Sequence, residues 1–548
     1  MTANTPSWND ISSEWAFQRT NRRRLLGEML GRNAVNFPDK VALHDIASGV
    51  TLTYGELERR TNRMAHGLIR RGLKIGDRFC ILGRNYIDTL VLYLACCKAG
   101  AIAVPLNYYS VADELRYIVE DCRPAMAAVS TELIDKVDRS VFDGIDLLSM
   151  TPDGRGGDVA ALAETKEDTT PDVDIDGRMP AFILYTGGTT GRPKGVVLSQ
   201  ANYLAMAQDT IQVLAPQSVS RDDSWLILGP LYHGAALAYS LIGFQYGQTV
   251  HLMREYNAEV ALDSLAKGYG TITWFIPTVS RRTVDFVADR KIPLESLETL
   301  RLIISAGAPL SLELRQELKR TFRKAEVIDI VGQTEMTSTI IVHAEPKNIA
   351  RSPTSVGLPA PSVMVALLDE QNRPVAPGEV GELCYRGETL MLGYWNKPEL
   401  TAEAMAGGWF HSGDLARRDA SGLIFIAGRK KELIKSGGEN VIPNEVEDIL
   451  KSVPGVGDAC VLGVPDKLWG ERIHAVLAVG AGAAEAEALR AAAEKECRAR
   501  LSRFKVPKTW TVLAALPANA VGKCDKAKLR AMIGDGTGPL DLRGETAP

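Results

Sequence analysis

The chain has 548 residues, 45% hydrophobic and 24% charged, with 63 Lys and Arg set against 67 Asp and Glu for a formal charge of −4. That length exceeds the roughly 250–300 residues at which a single core stops growing, so at least two domains are expected. The near-balanced charge, with no long basic block, argues against a polyanion-binding surface and against nucleic acid as a partner.

The amino terminus, MTANTPSWNDISSEW, is polar and acidic and lacks the basic start and apolar core of a signal peptide. Arg22-Arg23-Arg24 reads as a solvated turn of helix. From about residue 36 to 310, short β-rich runs (Phe79–Leu82, Ala101–Pro105, Ala181–Tyr185, Ser224–Leu228) alternate with amphipathic stretches such as Tyr54–Gly72 and Val111–Asp121. Such alternation is the mark of α/β layers built on parallel sheets. The longest apolar run, Leu90–Leu106, is broken by Lys98 and Pro105. It falls short of the roughly 20 residues of a membrane span and reads as a buried helix feeding a buried strand.

Between Ser355 and Phe425 glycine and proline recur every few residues among short strands, which predicts a β-rich subdomain closing the first body. Beyond Lys431 the pattern becomes α+β. A helix is expected at Pro443–Ser452, strands at Ala459–Val464 and Ala475–Val479, and a long helix near 483–501. The expected division is therefore a large domain over 1–430 and a small mobile α+β domain over 431–548, with the boundary at Arg429-Lys430-Lys431. The eight cysteines are scattered, and the adjacent pair Cys96-Cys97 suits neither a zinc site nor a redox motif. Buried, reduced thiols in a cytoplasm are the expectation.

The stretch Leu184-Tyr185-Thr186-Gly187-Gly188-Thr189-Thr190-Gly191-Arg192-Pro193-Lys194-Gly195 follows an apolar strand and gathers glycines, threonines and a lysine. Glycines let backbone N–H groups turn toward an anion, threonine hydroxyls donate to phosphate oxygens, and lysine adds a point charge. The spacing is not that of the common phosphate loop, in which Gly-Lys-Ser/Thr follows four spacer residues. The stretch resembles the signature loop of the adenylate-forming superfamily (acyl-CoA synthetases, peptide-synthetase adenylation domains, firefly-type luciferases), which usually has serine where this chain has Gly187.

Further segments resembling that family follow in order, from about Thr51 to Arg530. The resemblance points to the acyl- or aryl-CoA ligase branch. It implies that the loop grips the ATP phosphates through Thr186, Gly187, Gly188, Thr189, Thr190, Gly191 and Lys194. Gly332-Gln333-Thr334-Glu335 resembles the family's Gly-x-Thr-Glu, which implies that Glu335 holds Mg²⁺ and Thr334 contacts the AMP phosphate. Val331 stands where an aromatic residue usually stacks on adenine. The resemblance also counts Ala306, Gly307, Ala308, Pro309, Asp329, Ile330 and Ile426 among the ATP contacts. It makes Asp414 and Arg429 the ribose clamp, Lys431 the hinge, and Lys523 the catalytic lysine set between two anionic reactants.

For a second half-reaction, Lys435, Gly437, Gly438, Glu439 and Trp469 resemble the residues along which CoA passes. The implied acid pocket comprises His233, Gly234, Ala235, Ala236, Pro277, Gly307 and Met336, with His233 flanking the carboxylate. Its small side chains and the lack of a basic residue suggest a medium, long or bulky apolar monocarboxylic acid. Together these imply ATP-dependent formation of an acyl-adenylate followed by transfer to CoA. Three alternatives stay open: delivery to a carrier protein or other pathway partner, an oxidative fate for the adenylate, and a binding protein without turnover. A homodimer is also left open.

Overall fold

The computed structural model describes residues 25–187, 192–337, 339–479, 483–517 and 524–534. It resolves into two compact units. One gathers the chain up to Met364 with Arg386–Ala406; the other gathers Val365–Tyr385 with the residues from Gly407 on.

The first unit is built on two sheets. In the nine-stranded sheet, six neighbours run parallel: Val41–Asp45, Thr249–Leu252, Ser224–Ile227, Ile272–Phe275, Leu302–Ala306 and Glu326–Val331. Thr51–Thr53 on one side, and Ile341–His343 with Leu358–Pro359 on the other, add antiparallel edges. In the seven-stranded sheet, the parallel strands Arg78–Leu82, Ile102–Pro105, Met126–Ser130, Asp146–Met150 and Pro180–Thr186 are extended by antiparallel Lys194–Ser199 and Gly393–Tyr394. Strands such as Leu302–Ala306 (LIISA) are almost wholly apolar, as expected of strands buried on both faces of a parallel sheet.

The long apolar run is a helix, Ile87–Ala99, with every residue buried, leading into the buried strand Ile102–Pro105. Lys98 is tolerated within it because its Nζ lies 2.7 Å from Glu58 Oε1 and donates to Asn62 Oδ1 at 2.7 Å. Both partners stand on helix Tyr54–Arg70, which a Thr53–Glu56 capping box starts.

The second unit carries a four-stranded sheet (Val363–Leu368, Val380–Gly387, Phe410–Arg418, Ile424–Arg429) and a five-stranded one. In the latter, Gly470–Ala478 is central. It pairs antiparallel with Asp458–Asp466 and Ile434–Ser436 and parallel with Thr509–Leu513. Alternation along Asp458–Asp466 sends Ala459 and Val461 into a core with Val446, Ile449 and Ala493, while Cys460, Leu462 and Val464 meet Leu529 and Ile533 on the other face. Seven of the eight cysteines are buried, and Cys524 is intermediate. Among the described residues, no helix is long and apolar enough to cross a membrane.

Candidate active site

In the first unit the structure brings Lys194 to Glu335. Lys194 opens the strand that leaves the glycine–threonine loop, and Glu335 sits in the single turn Thr334–Met336. The ammonium lies 3.0 Å from the Glu335 carboxylate, which is buried. Tyr394 completes the cluster: its hydroxyl donates to Glu335 Oε1 at 2.9 Å and accepts from Lys194 Nζ, which also stands 4.1 Å above its ring. Burial and the neighbouring carboxylate push the Tyr394 hydroxyl well above its ordinary pKa, so it stays protonated. The sequence motifs did not single out Tyr394. It arrives because Gly393–Tyr394 pairs with Val196 and Val197 on the strand that Lys194 begins.

Thr186 closes the strand entering the loop, and its Oγ1 is buried with no hydrogen-bond partner among the described residues. An unpaired buried hydroxyl is costly unless something occupies it. Among the described residues, a Cβ at Gly187 would meet nothing within 4 Å, so none of them bars a serine there. Gly188, Thr189, Thr190 and Gly191 lie outside the described residues, as does Lys523.

Ala306 ends the strand paired with Glu326–Val331 and Gly307 follows it, with Ala306 opposite Ile330 and Ser305 opposite Asp329. The Asp329 carboxylate is taken by the Arg315 guanidinium, whose pKa burial lowers to about 10. Val331 is partly buried opposite Ile341.

His233 caps helix Gly234–Tyr246, its Nδ1 accepting from the Ala235 backbone N–H at 3.3 Å. Its ring stacks on Trp274, centroids 6.2 Å apart, and Trp274 in turn meets Tyr239 at 5.8 Å. Gly229 is needed against this wall, since a Cβ there would lie 2.5 Å from Trp274. The Trp274 indole N–H is buried without a partner among the described residues. Gly234, Ala235 and Ala236 are buried at the start of the helix, so rings rather than small residues alone surround His233. Trp274 stands three residues before Pro277, just outside the segment the motif reading weighed.

In the second unit Asp414 and Arg429 are cross-strand partners, with Arg429 Nε 2.6 Å from Asp414 Oδ1; Ile426 pairs with Ala416 on the same two strands. Lys431 follows in a single turn, Lys430–Glu432. Gly437 and Gly438 form the two-residue turn of the hairpin Ile434–Ser436 and Glu439–Val441, with φ of +63° and +85°. Positive φ at both positions matches the turn twist that hairpins favour. A Cβ on Gly437 would lie 2.7 Å from the Trp469 ring, and the Gly437 N–H donates to the Trp469 carbonyl at 2.8 Å. Lys435, Gly437, Gly438 and Trp469 thus share one hairpin end. Trp469 is 41% exposed.

A family model described as AMP-binding enzyme matches residues 30–395, and one described as AMP-binding enzyme C-terminal domain matches residues 445–523. The chain belongs to the AMP-binding enzyme family. Feruloyl-CoA synthase of an Amycolatopsis species is 33% identical over 527 residues, 94% of this chain and 100% of the relative. Fatty acid–[acyl-carrier-protein] ligase ScoC of Streptomyces coeruleorubidus is 31% identical over 501 residues, 88% of this chain and 92% of the relative. The crystal structure of ATP-bound MatB from Rhodopseudomonas palustris, 29% identical, covers 93% of this chain and 99% of its own with a TM-score of 0.82.

Proposed function

We propose that this family member is an AMP-forming acid–CoA ligase. A carboxylic acid and ATP give an acyl-adenylate and pyrophosphate, and the acyl group then passes to CoA with release of AMP. The observation that carries the reading is the meeting of Lys194, Tyr394 and Glu335 at the end of the loop whose entrance holds the Thr186 hydroxyl, buried with no partner among the described residues. A cation, a hydroxyl donor and a buried carboxylate in one place suit a magnesium triphosphate. The carboxylate offers the hard oxygen that Mg²⁺ prefers, and the ammonium and hydroxyl suit phosphate oxygens. When bound, Mg²⁺ supplies charge neutralisation across the phosphates.

Asp414, held by Arg429, is suited to accept from both ribose hydroxyls. Thr334, beside Glu335, is assigned to the AMP phosphate. Lys523 keeps the role of the cation that offsets repulsion between the attacking carboxylate and the α-phosphate. His233 is assigned to flank the acid's carboxylate, and Lys431 to the hinge between domains meeting at residues 430 and 431. The glycine turn and the Trp469 ring would receive the pantetheine arm. A cytoplasmic setting, where ATP and CoA are at hand, goes with this chemistry.

For the acid, the His233–Trp274–Tyr239 wall favours a bulky apolar monocarboxylic acid, with aryl-substituted acids the first to try. The name of the feruloyl-CoA synthase relative points the same way. The ScoC relative supports a second reading, in which a carrier-protein thiol replaces CoA as acceptor.

The test is pyrophosphate release with ATP and Mg²⁺ over a panel of aryl and alkyl monocarboxylic acids, with and without CoA. Multiple turnover that needs CoA and yields acyl-CoA is expected. Release that yields thioester only on a phosphopantetheinylated carrier protein would select the second reading. No acid-dependent release from any member of the panel would sink both.

A further inference from the structure

Away from Glu335 and its partners, the four-stranded sheet of the second unit brings three side chains of different chemistry to one point. Glu382 and Cys384 stand two residues apart on Val380–Gly387, and Cys384 is the cross-strand partner of His411 on Phe410–Arg418. Cys384 Sγ lies 3.4 Å from His411 Nδ1, and Glu382 Oε2 lies 3.0 Å from the same nitrogen. One potential ligand atom from each falls within 4.8 Å of the other two. Glu382 and Cys384 are buried, and His411 is partly so.

These separations are close to those a tetrahedral metal ion imposes. With Zn–S near 2.3 Å and Zn–N and Zn–O near 2.0–2.2 Å, neighbouring donors stand roughly 3.3–3.6 Å apart. The two separations at His411 Nδ1, 3.4 and 3.0 Å, would change by only a few tenths of an ångström, and Cys384 Sγ and Glu382 Oε2, within 4.8 Å of each other, would close on the ion from either side. Glu382 is already oriented, because the Gly413 N–H donates to Oε1 at 3.1 Å and leaves Oε2 toward the histidine. A cation is also already accepted there: the Lys430 ammonium lies 2.8 Å from Glu382 Oε2.

We propose that Glu382, Cys384 and His411 form a binding site for a divalent transition metal of the Zn²⁺ class. A thiolate and an imidazole select such an ion over Mg²⁺ or Ca²⁺, so the site is distinct in kind from the Mg²⁺ site assigned to Glu335. On binding, the Cys384 thiol gives its proton to the buffer and Sγ takes the metal. The imidazole binds through Nδ1 as its Nε2–H tautomer, Glu382 binds through Oε2, and the Lys430 ammonium leaves that oxygen. Three protein ligands leave the fourth position to water. Lys430 is the immediate neighbour of Arg429, which holds Asp414, so the metal would loosen a residue next to the proposed ribose clamp.

The test titrates the full chain with Co²⁺, which takes the same ligands and is coloured. A thiolate-to-cobalt charge-transfer band, tetrahedral d–d bands and one proton released per ion are expected. Because seven other cysteines are present, Cys384→Ser is the deciding variant; it should abolish the charge-transfer band. His411→Gln should weaken binding at least about tenfold. Zinc-edge X-ray absorption on the unaltered protein, which requires no variant to fold, should count one sulfur and the rest nitrogen or oxygen. A first shell without sulfur, or a charge-transfer band unchanged in Cys384→Ser, overturns the site.

Discussion

Gly187 stands where the resemblance implies a serine hydroxyl directed at phosphate, and its surroundings say what adding one would do. A Cβ there meets nothing within 4 Å among the described residues, so Gly187→Ser adds a hydroxyl without displacing any of them. A hydrogen bond to a charged group contributes about 1.5–3 kcal/mol. Ordering the side chain offsets part of that, so the KM for ATP should fall about tenfold, read in the pyrophosphate assay with acid saturating. Gly187→Ala fills the same space without the hydroxyl and should give no such gain. An unchanged KM in the serine variant would mean that the loop does not bring residue 187 to the phosphates. Tyr394 belongs to the same scale: a hydroxyl shared by Lys194 and Glu335 keeps an ammonium and a carboxylate together in a partly buried place.

At the scale of the element, the hairpin Ile434–Val441 shows why a glycine can be required for two reasons at once. Replacing Gly437 with leucine would strain a φ of +63° and drive the side chain into the Trp469 ring, so a loss of thioester formation in that variant would be ambiguous. Trp469→Ala is the cleaner probe, because the turn keeps its glycines while the ring is removed. Loss of one aromatic packing surface should slow acyl-CoA formation about tenfold and leave acid-dependent pyrophosphate release near the parent rate. Equal loss in both steps would count against a separate thioester face.

The same scale explains what the sequence made legible. Continuous apolar runs located the strands Arg78–Leu82, Ile102–Pro105, Pro180–Thr186 and Ser224–Ile227 to within a residue, because a parallel strand buried on both faces needs such a run. Helix Tyr54–Arg70 announced itself as an amphipathic stretch, and the structure adds the capping box that starts it. Trp274, Tyr394 and the Arg315–Asp329 pair gave no local signal. Each matters through a partner brought near by sheet pairing: Trp274 meets His233, and Tyr394 meets Glu335 across 59 residues. Asp329, which the resemblance counts among the ATP contacts, has its carboxylate taken by Arg315, a partner that no local pattern announces.

For the whole molecule, the acid limb of stability should be set by buried histidines in both units. His251 and His343 in the first unit and His474 in the second are buried, and for each burial is the main cause that lowers the pKa to about 4. Neighbours add to it: His44 Nδ1, 2.9 Å from His251 Nδ1, leaves no room for a charge on both rings, and the cations Arg315 and Arg472 lie near His343 and His474. His474 is fixed between the hydroxyls of Thr509 and Thr511 at 2.8 and 3.1 Å. In the unfolded chain each histidine titrates near 6.5. Between about pH 6.5 and 4 the unfolded state therefore binds protons that the native state does not. Stability that is fully present above pH 6.5 is lost as the pH falls through that window. The slope approaches about 1.4 kcal/mol per pH unit for each histidine. Urea unfolding at a series of pH values should show midpoints that hold above pH 7 and fall steadily from pH 6.5 downward. His474→Gln, which keeps a polar group for the threonine hydroxyls, should flatten that fall for the second unit and leave it unchanged for the first. A midpoint that stays level down to pH 5 would mean that these histidines titrate in the fold as they do in the unfolded chain, and the burial argument would fail for all three.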